Sequence, residues 1–261
     1  MKSLQIAATG MKAQELNVEV ISNNIANMRT TGFKRQRADF QDLLYQNLRR
    51  TGAETSDAGT IVPTGIQLGV GVKAAATPRI MSQGSLQNTD KQLDVAIRGE
   101  GFLRVELPDG RTAYTRDGSL ERDAAGQIVT VDGFAIEPGI VIPDNANDIS
   151  ISPEGVVQAF VGADNEPVEL GQLDLARFVN PAGLRGIGEN LFVETPASGP
   201  EQVAVPGAEG YGTLLQGYLE AANVNPVTEV SDLIAAQRAY EMNARVVSAA
   251  DEMLAATSNL R

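Results

Sequence analysis

The sequence predicts a mixed α and β chain. An all-β central domain, an antiparallel sandwich or partly closed barrel, lies between long N- and C-terminal helices that form a coiled coil. Three observations carry this reading. Apolar residues recur at heptad spacing near both ends of the 261 residues, and short β-favouring runs alternate with turn dipeptides from Leu93 to Phe178. Cysteine and histidine are absent, which leaves the fold to packing alone and removes disulfides, thiolate nucleophiles, Cys/His zinc sites and Ser-His-Asp triads.

The first helix is read from Leu4, Met11, Val18 and Ile25 at sevens, with Ala7, Gln14, Ile21 and Met28 between them. This is an a/d pattern of almost four heptads, which predicts a supercoiled seam against another helix. Gly32 is the expected left-handed stop, after the helix-weakening pair Thr30-Thr31. At the other end Asn225 caps a helix that opens on Pro226. Leu233, Tyr240, Val247 and Leu254 then repeat at sevens, flanked by Val230, Ala236, Ala244 and Ala250. At 1.5 Å per residue the two helices span roughly 37 and 48 Å. Both stripes also fit simple packing onto the central body. Their narrowness, the amides beside them (Gln14, Asn24, Asn27, Gln237, Asn243) and their separation along the chain favour helix on helix. The expectation is that these ends fray in a lone molecule and order against neighbouring copies.

Between the helices the pattern changes to period two. Phe102–Leu107 alternates apolar and charged residues, turns at Asp109-Gly110 and returns through Thr112 and Tyr114, which is a strong hairpin signal. Asp117-Gly118, Gly126 and Asp132-Gly133 repeat the punctuation, and further strands are expected at Ile128–Val131, Ile140–Ile142, Ile149–Ile151, Val156–Val161 and Val168–Phe178. Gln46 to Gln83 reads as an extended arm or long hairpin, and the Gly- and Pro-rich stretch Thr195 to Gly217 as a linker. The expected divisions are 1–33 (helix), 34–84 (arm), 85–221 (β body) and 222–261 (helix).

Net charge is −12, but the first 50 residues carry +4 and the rest −16. Such a basic end on an acidic body suits complementary surfaces on copies of one protein better than a nucleic-acid tail or a lipid contact. Scarce aromatics and no tryptophan argue against single-strand stacking platforms. No apolar run approaches the ~20 residues that span a bilayer, and Lys12, Glu15 and Glu19 interrupt any secretion signal. The search for chemistry returns weak candidates. Asp144–Asp148 has oxygen ligands without the rest of an EF-hand. Gly99–Gly101 and Gly183–Gly188 lack the ending and setting of a nucleotide loop. Glu121/Asp123 and Glu166/Glu169 are carboxylate pairs with no cleft assigned. The chain is therefore expected to have no catalytic residue, cofactor or metal.

Ser22–Arg35, containing Ala26-Asn27 and then Thr31-Gly32-Phe33-Lys34, resembles the N-terminal signature of the bacterial flagellar rod and hook axial proteins. Glu220–Asn225 and Leu233–Asn243 are similar to the C-terminal signature of that family, with Ala222 where Ser is usual and Pro226 opening the helix. Leu93–Phe102 and Ala113–Gly118 recur across it, while Ile61–Val72 and Ile187–Phe192 resemble the distal rod members in particular. The resemblance covers essentially the whole chain. It implies a structural, self-assembling subunit of a helical tube, with terminal helices inside around an export channel and β domains outside. It implies partners as well: further copies, proximal rod proteins, the hook protein, the periplasmic and outer-membrane rings and the flagellar type III export apparatus. No nucleic acid or small-molecule substrate is implied; export without a cleaved signal is. A proximal rod or hook protein is the nearest alternative, and a secreted carbohydrate-active β protein the alternative of another class.

Within these signatures the candidate contacts between copies are Asn24, Asn27, Thr30, Gly32, Phe33, Lys34, Gln237, Arg238 and Asn243. Gly32-Phe33-Lys34 fits a helix stop with an apolar staple equally well. The seam is expected to hold Leu4, Met11, Val18, Ile21, Ile25, Met28, Leu233, Tyr240, Val247 and Leu254, with Arg238 facing outward toward an acidic neighbour.

Overall fold

The computed structural model describes residues 2–49, 64–161 and 166–259. It is a mixed α and β chain with two long helices and a large β-rich body. The chain divides into two units. One comprises Met1–Ile25, Gln36–Pro78 and Asn225–Arg261; the other comprises Ala26–Arg35 and Arg79–Val224.

The first unit contains α1 (Lys2–Ala26) and α2 (Pro226–Asn259). It also has two antiparallel strand pairs, Asp39–Asp42 with Val72–Ala76 and Tyr45–Arg49 with Ile66–Gly69. Asn225 caps α2, its side-chain oxygen accepting from the amides of Val227 (3.0 Å) and Thr228 (3.4 Å). Both terminal stretches are helices in this structure. They run antiparallel where they meet, since Gly10 lies against Asn243 and Asn24 bonds Glu229. Helix α1 ends at Ala26, six residues before the expected stop. Met28 accordingly sits in the turns that follow, 37% exposed. The residues 61–63 of the Ile61–Val72 segment fall outside the described residues.

The second unit is antiparallel throughout. Its largest sheet runs Arg185–Gly188, Leu191–Val193, Thr112–Thr115, Phe102–Glu106, Ala135–Ile136, Ile128–Thr130, Leu120–Arg122, with Leu175–Arg177 and Gln202–Ala204 branching from Phe102–Glu106. A three-stranded meander (Ala146–Ile151, Val156–Val161, Glu166–Gln172) and two strand pairs complete it, and among the described residues no sheet closes into a barrel. Alternation along the strands explains the packing. Leu103, Val105, Ala113, Leu175, Leu191 and Val193 point into an aliphatic core with Ile97, Ile128 and Ile136. Their neighbours Phe102, Tyr114, Ala176 and Phe192 build an aromatic cluster with Phe178 and Leu184. Successive residues point to opposite faces, so the central strands are covered on both. The rings of Tyr114 and Phe178 meet edge to face, 4.7 Å apart.

Three expectations change. Thr195 to Gly217 is not a linker. Gln202–Ala204 pairs with Leu175–Arg177, Thr213–Gln216 pairs with Val95–Arg98, and Leu214 is 2% exposed. Its glycines and prolines shape the turns between those strands. Ile140–Ile142 makes a single bridge, Gln127 with Val141, instead of a strand. Val168–Phe178 divides into two strands, Glu166–Gln172 pairing in the meander and Leu175–Arg177 in the large sheet. The hairpin turning at Asp109-Gly110 and the strand Val156–Val161 form where the sequence places them.

Candidate functional site

In the second unit the two terminal signatures converge on one buried ionic cluster. Gly32 adopts φ 68° and donates its amide to the carbonyl of Glu220 (2.8 Å). A Cβ there would lie 2.7 Å from the Asp117 nitrogen, so both the left-handed backbone and the close approach require glycine. Two residues on, Lys34 Nζ donates to Glu220 Oε1 (2.6 Å) and to the Ser82 carbonyl (2.9 Å). Glu220 Oε1 also accepts from the Gly84 amide (2.7 Å). Arg116 reaches the other carboxylate oxygen, Nη1 to Oε2 at 3.3 Å, and donates Nη2 to the Gly99 carbonyl (2.7 Å) while lying over the Phe102 ring.

Lys34 and Glu220 are 2% and 1% exposed and Arg116 5%. Two cations thus share one carboxylate inside the protein. The arrangement is not fully satisfied: Arg116 Nε and Glu220 Oε2 have no hydrogen-bond partner. Burial, followed by repulsion from Arg116, lowers the Lys34 ammonium below its usual range, against the pull of Glu220. Burial also lowers Arg116.

Amides lace the same chain segments together. Asn223 donates Nδ2 to the carbonyls of Ile80 (2.7 Å) and Ser82 (3.0 Å) and accepts from the Arg35 amide (2.8 Å). Asn190 donates to the Thr31 carbonyl (3.1 Å). The Thr30 hydroxyl bonds Asn27 Oδ1 (3.2 Å), holding the turn after α1.

In the first unit Asn24 is 2% exposed. Its Nδ2 donates to the Gln36 carbonyl (2.8 Å) and to Glu229 Oε2 (3.1 Å), and its Oδ1 accepts from the Gln36 amide (2.9 Å). Asn243 packs so closely on Gly10 that a Cβ there would lie 3.0 Å from its Nδ2.

The expected contact residues therefore divide. Asn24, Gly32 and Lys34 are buried and their polar groups are engaged within the chain. Asn27, Thr30, Phe33 and Asn243 are half-buried, and Gln237 and Arg238 are exposed. Of the seam residues only Ile21 is buried. Leu4, Met11, Val18, Ile25, Leu233, Val247 and Leu254 are half-buried, while Tyr240, expected in the seam core, is 44% exposed. The reason is the register of contact: small and polar positions, Gly10 to Asn243 and Asn24 to Glu229, meet instead of the large apolar ones.

Sequence reasoning missed the roles of Glu220 and Arg116. Their signal was a charge inside each of two signature motifs, Glu220 before Ala221-Ala222-Asn223 and Arg116 within Tyr114-Thr115-Arg116-Asp117-Gly118. Among the described residues no group of three or more Asp or Glu is placed to hold a metal ion, and no helix is long and apolar enough to cross a membrane.

Comparison with known proteins bears on both signatures and the body between them. Residues 4–34 match the flagella basal body rod protein family, 96–159 the flagellar hook protein FlgE/F/G D1 domain, and 215–260 the flagellar basal body rod FlgEFG protein C-terminal family. The flagellar basal-body rod protein FlgG of Caulobacter vibrioides is 57% identical over 100% of both chains. That of Buchnera aphidicola (strain APS) is 50% identical over 99% of each, and that of Bacillus subtilis 36% identical over 100% of this chain and 99% of its own. With relatives of this identity along its full length, the chain belongs to the flagellar basal-body rod protein FlgG family.

Proposed function

We propose that the chain is a structural subunit of the flagellar distal rod, self-assembling into a helical tube that carries torque from motor to hook and encloses the export channel. The carrying observation is end-to-end similarity to basal-body rod proteins, spanning both helices and the β body. In this reading the rod lies in the periplasm and the chain is exported without a cleaved signal. It is joined to proximal rod proteins on one side and hook protein on the other, inside the periplasmic and outer-membrane rings.

The half-buried stripes Leu4, Met11, Val18, Ile25 and Leu233, Val247, Leu254, with the exposed Tyr240 between them, support a coiled-coil tube whose seams are completed by neighbouring copies. Asn27, Thr30, Phe33, Gln237 and Arg238 remain the proposed contacts between copies. Electron microscopy of the purified chain at high concentration tests the reading: straight tubes are expected from the full chain and none from a version lacking both helices. Ordinary rods from that truncated version would defeat it.

A further inference from the structure

The β body carries a groove that shares no residue with the ionic cluster. Asp90, Lys91, Gln92, Asp148, Ser150 and Phe160 line it, with Gln216 at its base, and it encloses about 440 Å³. Sites for small ligands fall between about 300 and 1,000 Å³. Pairing along the meander brings its side chains to the groove. Asp148 and Phe160 are direct cross-strand partners, as are Ser150 and Gln158, while Ile149 and Ala159 between them turn to the core. Alternation therefore presents Asp148, Ser150 and Phe160 together on the outer face. Gln216 Oε1 accepts from the Ile151 amide (3.0 Å), and its Nε2 donates to the carbonyls of Ile149 (2.8 Å) and Gln92 (2.7 Å). Gln92 in turn donates Nε2 to Asp148 Oδ1 (2.6 Å), which also accepts from the Ile149 amide (2.9 Å). Three separate chain segments are thus locked around one groove, so its shape exists before a ligand arrives. Several groups are left over. Among the described residues the Asp90 carboxylate, the Lys91 ammonium, the Ser150 hydroxyl and Asp148 Oδ2 make no hydrogen bond or ion pair.

We propose that this groove binds a pyranose unit of an oligosaccharide. A pyranose has an apolar face of C–H groups and a rim of hydroxyls that both donate and accept. Phe160 supplies the aromatic surface for the first. Asp90 and Asp148 accept from the hydroxyls in charge-assisted bonds, while Lys91 and Ser150 donate to them. Other ligand classes fit less well. Two carboxylates at the rim repel an anion, and among the described residues no third one joins them to hold a metal ion. The lining is too polar for an apolar peptide. This inference goes beyond the rod reading and does not depend on it. Where that reading holds, the sugar has two sources around the rod: the glycan strands of the peptidoglycan and the lipopolysaccharide of the outer membrane.

The test is saturation-transfer NMR on the dilute, purified full chain. The probes are tetra-N-acetylchitotetraose and the delipidated polysaccharide of lipopolysaccharide. Transfer to the ring protons of a probe is expected, and the probe that receives it identifies the source. Phe160→Leu keeps an apolar side chain but loses the flat ring, and is expected to weaken binding about fivefold or more. Asp148→Asn keeps an acceptor for Gln92 and Ile149 without the charge, and Asp90→Asn removes a carboxylate that bonds nothing in the chain. Each is expected to weaken binding about threefold or more. Urea midpoints near the wild type are expected for both Asp variants, so that their loss reads on the groove and not on folding. No transfer to either probe at about 10 mM, where even a millimolar dissociation constant would show, would overturn the inference. Unchanged binding in all three variants would overturn it as well. A wild type that binds sugar but forms no tubes at high concentration would overturn the rod reading and leave this inference standing.

Discussion

The second unit buries large side chains; the first buries small ones. Ile97, Leu103, Ile128, Ile136, Leu173 and Leu175 are all 1% exposed or less in the β body. Among the described residues, the buried apolar ones of the helical unit are Ala7, Ala13, Val20, Ile21, Ala236 and Ala250, four of them alanine. Hydrophobic stabilisation scales with the apolar area removed from water, at about 25 cal/mol per Å². The β body therefore has the means to hold itself together. The helical unit leaves much of its apolar surface, Val227, Met242, Val246 and Met253 among it, in water. A patch of that kind on a soluble chain marks a place where another molecule belongs. The difference teaches that fold and assembly are separate problems in this protein, solved by separate residues.

The sharpest way to break the comparison is through the one carboxylate of the buried cluster. Glu220→Gln leaves Lys34 and Arg116 as two buried cations without their shared carboxylate and is expected to destabilise the body by about 3–5 kcal/mol in urea unfolding. Lys34→Met leaves Arg116 and Glu220 matched one to one, so its effect is expected to be less than half as large. Equal losses from the two variants would show that the cluster is not organised around Glu220.

Truncation of core side chains comes next. Leu103→Ala is expected to cost about 2–5 kcal/mol, while Leu254→Ala on α2 changes monomer stability by less than about 0.5 kcal/mol and acts on polymerisation instead. Comparable monomer losses at both sites would erase the distinction between the units. Gly32→Ala combines a left-handed backbone with a Cβ 2.7 Å from the Asp117 nitrogen, and a loss of about 1–3 kcal/mol is expected from the same urea measurement.

The smallest effect is the pH dependence of Lys34. Its folded-state pKa is lowered from the unfolded value of 10.5, so between the two values the unfolded chain binds more protons than the folded one. The contribution to stability is therefore fully present above the unfolded value and lost as pH falls through the folded one. Urea midpoints of wild type and Lys34→Met, compared from neutral pH to about pH 10, should converge as pH rises if Met is the more stable at neutrality, or diverge further in favour of the wild type if it is not. A difference independent of pH would show that Lys34 keeps an ordinary ammonium.

Local features were readable in advance because they depend on neighbours in the chain. The cap at Asn225, the start at Pro226, the hairpin at Asp109-Gly110 and the strand Val156–Val161 each follow from a few adjacent residues and their backbone preferences. The heptad spacing was equally plain, but not the register in which the helices meet. A stripe of Leu, Met and Val predicts an apolar partner and is silent about which partner, so Gly10 with Asn243 and Asn24 with Glu229 could not be foreseen. The stretch from Thr195 to Gly217 misled for a related reason. Its glycines and prolines are turn signals, and only pairing with Val95–Arg98 and Leu175–Arg177 turns the residues between them into strands.

What the amino-acid sequence determined by itself was the inventory: two helical ends, an antiparallel body, no histidine or cysteine chemistry, and Gly32 at a chain reversal. What tertiary structure alone decided was which charges and amides answer one another. Lys34 and Glu220 are 186 positions apart, and Arg116 joins them from a third region of the chain. Nothing local distinguishes a buried lysine from a solvated one. Burial is settled by the whole surrounding packing, and only there does a pair of charges become an inner anchor while Arg238 and Arg245 stay on the surface.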